Sequence, residues 1–189
     1  KLVDDLHPAR VKSRKQGDAT LSYLEGYDVK ATLIRIFGFG GFSAEVTESQ
    51  IVFQEQYESS KGKPLWRVAA KVTVRLIIHD PHHVASGPIY TETAIAEQAS
   101  PSWGDAADFA IKTAETDALK RAAIYLGTQF GLSLYDNGSV RDVVSVVLAP
   151  GQDEQVGQAK ATKGAGLAKA KENMDRMLGN QQRADDDLN

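Results

Sequence analysis

The clearest pattern in the chain is a strict alternation of apolar and polar positions in the stretch LWRVAAKVTVRLII, residues 65–78. Every even position from Trp66 to Ile78 is apolar, whereas the odd positions include Arg67, Lys71 and Arg75. Successive side chains of a β-strand point to opposite faces. The pattern therefore predicts a strand with one face in the core and a cationic face toward solvent.

Shorter β-like segments surround this strand. The segments FSAEV, SQIVFQEQY and PIYTETAIAE are separated by polar or Gly/Pro-rich stretches, and TLSYLEG (20–26) precedes them. Enrichment in β-branched and aromatic residues between turn residues is typical of strands. We therefore predict a β-rich region over 43–98, with a further strand at 20–26.

Helical spacing of apolar residues marks two other regions. Residues 27–38 predict a helix that closes at Gly38, and residues of about 105–130 predict a long helix that stops at Gly131. A stripe rich in alanine along the long helix indicates that it approaches a sheet closely. The residues of this predicted stripe are Ala107, Ile111, Ala114, Ala118, Leu119, Ala122, Ala123, Tyr125, Leu126 and Phe130. Residues 8–15 predict a short basic helical turn, and 139–148 fit either a strand or a helix.

A glycine-rich segment, FGFGGF, follows the first helix at residues 37–42. Its glycines predict a tight turn with positive φ, with Phe37, Phe39 and Phe42 packed around it. It is not a dinucleotide fingerprint, because Ser43 stands where the third glycine is required and a helix precedes it. No Walker A motif occurs in the chain, so we expect no nucleotide cofactor and no ATP-driven motor.

Composition narrows the class of protein. The 189 residues are 42% hydrophobic and 25% charged, as in an ordinary globular domain. We predict one domain over 1–150 and, from the Ala, Gly, Gln and Lys content, a helical or partly disordered extension over 151–189. The absence of cysteine excludes disulfides and thiolate sites. No run of about 20 apolar residues occurs, so we expect no membrane span and a cytoplasmic location.

Histidines offer the main catalytic or metal-binding alternative. The segment HDPHH, residues 79–83, contains three imidazoles and one carboxylate and could in principle hold a metal ion. A polar loop between two strands explains the segment without a metal ion and is the interpretation we strongly favour. The carboxylates follow no catalytic motif. We therefore predict no catalytic residues, no metal and no enzymatic activity.

The cations of the 65–78 strand could bind a polyanion. Arg67, Lys71 and Arg75 recur every four residues on one face, about 13 Å apart at the usual strand rise, which suits a phosphate backbone. Cross-strand ion pairs are the alternative, with carboxylates on neighbouring strands: Glu45, Glu48, Glu55 and Glu58. The formal net charge of −3 counts mildly against a nucleic-acid partner.

Lys120 and Arg121, two adjacent cations in the long helix, could likewise either form ion pairs within the chain or contact a polyanion. Asp117 lies three residues before Lys120 and four before Arg121, so helical ion pairs could satisfy them. Consecutive helical side chains point about 100° apart, however, and one aspartate cannot fully hold both. The pattern leaves room for an external anion.

Several motifs, in order, resemble the annealing domain of the Rad52 family, single-strand DNA annealing proteins of homologous recombination. They are YLEGYDVKATLIRIFGFGGF, GPIYTETAIAE and KTAETDALKRAAIYLGTQFG, and the resemblance covers residues 8–137. It implies an α+β fold, an antiparallel β-sheet packed against a long α-helix, that assembles as a ring oligomer. It also implies ATP-independent annealing in a cationic groove for single-stranded DNA, lined here by Lys120 and Arg121.

The chain departs from the family pattern at four positions. Asp28 stands where a basic residue is usual, Ile124 replaces an arginine, Phe39 replaces a tyrosine and Phe42 replaces a tryptophan. The groove is then expected to draw on other cations, and the predicted DNA-binding set is Lys120, Arg121, Arg67, Lys71, Arg75, Lys30, Arg35 and Phe39. The divergence favours a phage or bacterial source.

Two rival functions remain at this point. One is a ring-forming assembly protein that never contacts DNA, and the other is a metal nuclease that uses HDPHH. Beyond single-stranded DNA and copies of itself, the expected partners are a host single-strand-binding protein or an exonuclease. The extension after Pro150, with its acidic DDDLN end, would recruit them.

Overall fold

The computed structural model describes residues 2, 4–79 and 87–144. A two-stranded hairpin and an α-helix come first in the chain, followed by three long strands and a second helix. These elements are β1 (Val11–Gln16), β2 (Ala19–Leu24), α1 (Gly26–Phe37), β3 (Phe42–Glu58), β4 (Pro64–Ile78), β5 (Ile89–Ser100) and α2 (Trp103–Ile124). Short 3-10 turns span Pro8–Arg10, Thr128–Phe130 and Leu132–Tyr135.

The three long strands form an antiparallel sheet in the order β3-β4-β5. Their register places Glu45 opposite Arg75 and Glu55 opposite Arg67. Even positions of the central strand from Val68 to Ile78 are buried in the core, as the alternation predicts. The predicted α+β architecture, an antiparallel sheet packed against a long helix, is confirmed.

Helix α2 covers one face of this sheet. Its N-terminus is capped by the Ser102 hydroxyl, which accepts a hydrogen bond from the Asp105 amide at 3.4 Å. Small side chains let the helix axis approach the strands closely, and seven alanines are buried along it: Ala106, Ala107, Ala110, Ala114, Ala118, Ala122 and Ala123. The predicted alanine-rich contact face is confirmed.

The end of α2 differs from the prediction. The helix ends at Ile124, and the chain continues through Gly127 (φ 104°) and Gly131 (φ 93°) into two 3-10 turns. Left-handed glycines break the helix without a steric penalty. Phe130 is still buried, but Tyr125 is 61% exposed instead of lying in the buried stripe.

Strand β3 is also longer than predicted. The segments FSAEV and SQIVFQEQY belong to one strand of 17 residues, Phe42–Glu58. Register shifts between Val46 and Glu48 and between Ile51 and Phe53 interrupt its pairing with β4. Such bulges disturb the period-two pattern, which explains why the sequence pattern divides a continuous strand.

The basic segment at 8–15 is mostly strand, so the predicted helical turn is wrong beyond Arg10. Residues Val11–Gln16 pair antiparallel with Ala19–Leu24, and Gly17 (φ 60°) and Asp18 connect the two strands. A tight two-residue connection of this kind is typical of a β-hairpin. The strand predicted at 20–26 is confirmed over residues 20–24, whereas Gly26 begins α1 instead of ending the strand.

Helix α1 and its glycine turn are close to the prediction. Gly38 adopts φ 82° at the helix end, and a Cβ on Gly41 would overlap the Phe37 carbonyl. Phe37 and Phe42 pack against the core, whereas Phe39 is 87% exposed and does not pack around the turn. Residues 139–144 form neither helix nor strand. Residues 145–148 and the predicted extension 151–189 lie outside the described residues.

Candidate nucleic-acid interface

A groove of about 740 Å³ separates the β1–β2 hairpin from the C-terminal half of α2. Strand β5 and the 3-10 turns after α2 complete its walls. Three cationic residues line it, Arg14 from the hairpin and Lys120 and Arg121 from the helix, together with the carboxylate of Asp117. Three cations and one carboxylate leave the lining with a formal excess of two positive charges.

Arg14 contributes a cation from the hairpin. The residue is exposed, and its guanidinium carbon lies 5.7 Å from the centre of the Tyr23 ring. This geometry is a cation–π contact, which orients the guanidinium without neutralising it. Among the described residues, no carboxylate lies within ion-pair distance of Arg14. Its charge therefore remains available to an anion in the groove.

Lys120 and Arg121 have different partners. The Lys120 Nζ lies 2.7 Å from an Asp117 oxygen, whereas the Arg121 Nε lies 3.8 Å from a Glu92 oxygen. The Arg121 side chain is 58% exposed, and ion pairs in such positions are weak and easily exchanged for other anions. The expectation that Asp117 cannot hold both cations agrees with this arrangement.

Glu92 of β5 joins Arg121 to an aromatic pair. The Tyr125 hydroxyl donates a hydrogen bond to Glu92 at 2.9 Å, and the Tyr125 and Tyr90 rings are stacked. The hydrogen bond to Glu92 raises the pKa of the Tyr125 hydroxyl, because the neutral phenol is the donor and the nearby negative charge opposes ionisation. The phenol therefore remains a donor at neutral pH.

The cations on the open face of the sheet are paired across strands. Arg67 contacts Glu55 at 3.0 Å and Glu97 at 3.5 Å, Lys71 contacts Glu48 at 2.7 Å, and Arg75 contacts Glu45 at 2.6 Å. This is the cross-strand alternative that the sequence left open. Glu58 makes no ion pair with these cations in the described part of the chain.

The pairing has an electrostatic consequence at Glu48. Its pKa is lowered mainly by the hydrogen bond from Lys71, so the carboxylate stays ionised and its charge offsets the lysine. Partly exposed cross-strand pairs of this type are modest in strength and weaken with salt. An incoming phosphate would have to compete with these glutamates.

The remaining predicted residues lie outside the groove lining. Lys30 and Arg35 are exposed on α1, where Arg35 has a long contact of 3.5 Å with the Thr32 hydroxyl. Phe39 projects from the glycine turn. The structure thus brings Lys120 and Arg121 together with Arg14, and brings Arg67, Lys71 and Arg75 together on another surface. A DNA-binding role for the eight predicted residues stays a prediction.

Sequence reasoning missed Arg14 and Tyr23. Both follow from the hairpin, in which Arg14 pairs with Leu21 and Tyr23 pairs with Lys12. The available signal was the Gly17-Asp18 pair between two short runs with β-propensity, which is a hairpin signature. The predicted helical turn at 8–15 was incompatible with a hairpin at this position, so this signal was not used.

The metal alternative concerns mostly residues outside the described ranges. Of HDPHH, His79 alone is described, and its Nε2 lies 2.8 Å from the Ser43 hydroxyl. Over residues 2, 4–79 and 87–144, no three His, Asp or Glu side chains are grouped as metal ligands would be. Within the same ranges, no helix combines the length and apolar character needed to cross a bilayer.

Comparison with known proteins agrees with the resemblance seen in the sequence motifs. The profile of the Rad52/22 family of double-strand break repair proteins matches residues 1–153. The chain belongs to the Rad52/22 family. Membership connects it with double-strand break repair and agrees with the expectation that it is not an enzyme.

One curated relative is the DNA repair and recombination protein rti1 of Schizosaccharomyces pombe. It is 27% identical over 155 residues, which cover 81% of this chain and 38% of the relative. The chain thus spans well under half the length of that relative. The prediction of a phage or bacterial source is untested by this match.

Proposed function

We propose that this chain binds single-stranded DNA and anneals complementary strands without ATP. The observation that carries the proposal is the groove, where the lining residues of the hairpin and α2 have a formal excess of two positive charges. Membership of a double-strand break repair family supports the same assignment. Arg14, Lys120 and Arg121 would contact the phosphates.

Contacts to phosphates fit an annealing role. They hold a strand without reading its sequence, so they leave the base edges open to a second strand. Neutralised phosphates also repel that second strand less. A groove that works through charge serves any complementary pair, which is what annealing requires.

Oligomerisation would strengthen the binding, and we propose a ring or arc of subunits. A single groove with three cations binds weakly at physiological salt, whereas adjacent grooves on one strand multiply the contact. Strands β3 and β5 are the outer strands of the sheet, and neither pairs on its outer side with a strand of the described chain. Long unpaired edges are surfaces through which subunits can join.

The sheet cations, the two cations of α1 and Phe39 would make weaker or more peripheral contacts with DNA than the groove cations do. Arg67, Lys71 and Arg75 would bind DNA by exchanging glutamate for phosphate, so each should contribute less than Lys120 or Arg121. Lys30, Arg35 and Phe39 would contact DNA that continues beyond the groove. All six are exposed or half-buried.

The double variant Lys120→Ala/Arg121→Ala tests the groove. We expect it to anneal complementary oligonucleotides at least about tenfold more slowly at physiological salt, because two phosphate contacts are lost in every subunit. Light scattering should show an unchanged particle mass. Lys61→Ala/Lys63→Ala is the matched control, since it removes two exposed lysines from the turn between β3 and β4. Annealing at the wild-type rate by the groove variant would refute the assignment.

A ring-forming assembly protein that does not bind DNA is the second candidate. The glutamate pairing of the sheet cations favours it, because a neutralised sheet suits contact between subunits better than contact with a polyanion. The same experiment separates the two candidates: an assembly protein shows no annealing in any variant. A cytoplasmic location and recruitment of a single-strand-binding protein or an exonuclease by residues 151–189 stay predictions.

A further inference from the structure

Two tyrosines form a parallel aromatic pair beside the groove. The ring centres of Tyr90 and Tyr125 lie 5.2 Å apart and their planes differ by 1°. Tyr90 is half-buried and packs against the hydrophobic core, so it forms the fixed lower layer. Tyr125 is 61% exposed although Tyr90 covers one of its faces. The opposite face of the Tyr125 ring is therefore open to solvent.

Hydrogen bonding fixes the orientation of the exposed ring. The Tyr125 hydroxyl donates to Glu92 Oε1 at 2.9 Å, while Tyr90 restrains the ring from below. A large aromatic side chain held at both its face and its tip loses little further conformational freedom when a ligand stacks on it.

The tyrosine pair also borders the cationic groove. Arg121 lines the groove, and its Nε lies 3.8 Å from the other oxygen of Glu92. The same carboxylate thus connects the groove cation with the exposed ring. An aromatic surface next to a cation that can bind phosphate is the combination found in proteins that bind single-stranded nucleic acid.

We infer that the open face of Tyr125 stacks a nucleobase of the strand whose phosphate contacts Arg121. This inference rests on the proposed function and adds to it a binding site for a base. Stacking tolerates any base, because every base has a π-face, so the site does not conflict with annealing of arbitrary sequences. Glu92 would keep its hydrogen bond to Tyr125 when Arg121 exchanges the carboxylate for phosphate.

Paired oligonucleotides isolate the stacking contact. Binding of the full chain to oligothymidine is compared with binding to an oligomer of the same length and phosphate number in which abasic sites replace the nucleotides. We expect Tyr125→Leu to weaken binding to oligothymidine about fivefold or more and to leave binding to the abasic oligomer unchanged. Tyr125→Phe keeps the ring but loses the hydrogen bond to Glu92, so it should bind oligothymidine more tightly than Tyr125→Leu does, at or somewhat below the wild-type affinity, and should bind the abasic oligomer as the wild type does.

A matched control comes from α2, the helix that ends just before Tyr125. Phe109 is 55% exposed and lies roughly 24 Å from Tyr125 along the helix, so Phe109→Leu should change neither affinity. Equal losses of Tyr125→Leu on both oligomers, or no loss on either, would overturn the inference and leave the groove proposal standing. If the wild-type chain binds neither oligomer, the proposed function fails and the inference fails with it.

Discussion

A largely buried arginine, Arg10, holds the hairpin wall of the groove against the rest of the fold. Arg10, which immediately precedes β1, directs its guanidinium at the Asp28 carboxylate of α1, with contacts of 2.8–3.1 Å. It also donates to the Thr32 hydroxyl at 2.8 Å and to the side-chain and backbone oxygens of Gln129, each at 2.8 Å. One side chain thus ties the hairpin to α1 and to the turn after α2. We predict that Arg10→Met destabilises the fold strongly.

The magnitude follows from burial. The Arg10 and Asp28 side chains retain 14% and 12% of their exposure. Loss of one partner from a buried pair leaves the other charge uncompensated and costs about 3–5 kcal/mol. Because both side chains keep some contact with water, we expect the lower end, about 3 kcal/mol. The double variant Arg10→Met/Asp28→Leu should recover part of this loss, since it leaves no buried charge.

Urea unfolding monitored by circular dichroism gives the free energy of unfolding for each variant. Lys12→Met is the control, because Lys12 is an exposed cation two residues further along, in β1, and its free energy of unfolding should change by no more than about 0.5 kcal/mol. A loss below about 1 kcal/mol for Arg10→Met, a value ordinary for a surface pair, would show that the Arg10 contacts do not hold the hairpin as argued.

Two further predictions concern the sheet and the glycine turn. Lys71→Ala should raise the pKa of Glu48 toward its ordinary value of 4.5, which carbon NMR can measure. The same variant should weaken DNA binding less than Arg121→Ala does. A larger loss for Lys71→Ala would show that the sheet face is the main DNA contact. Gly41→Ala should lower the melting temperature, because the new Cβ would overlap the Phe37 carbonyl, whereas Gly40→Ala, which meets no atom, should change it little. Equal melting temperatures for these two alanine variants would contradict the packing described for the turn.

The architecture of the sheet was predictable because its signal is local. The alternation from Trp66 to Ile78 directly reports the two faces of β4, and the alanines of α2 report a closely packed helix. The ends of these elements were less predictable. The stop at Ile124 depends on left-handed glycines that follow apolar residues still in the core, so the hydrophobic pattern continues where the helix does not.

The site was predictable only in part, because it depends on contacts between distant segments. Lys120 and Arg121 could be named from the helix, but their proximity to Arg14 requires the fold of the hairpin. Asp28 is another example. Its carboxylate stands where a basic residue is usual and therefore suggests a less cationic groove. In the structure, however, this carboxylate forms an ion pair with Arg10. The pairing of Arg67, Lys71 and Arg75 with glutamates could not be predicted from the sequence, because it depends on the register between neighbouring strands.

The salt dependence of single-strand binding tests the central claim most directly. For a single strand, the slope of log K against log salt concentration is about −0.7 for each phosphate that the protein neutralises. If Lys120 and Arg121 contact phosphates, the slope for Lys120→Ala/Arg121→Ala should be shallower by about 1.4 per bound subunit. An affinity and a slope equal to those of the wild type would contradict the account.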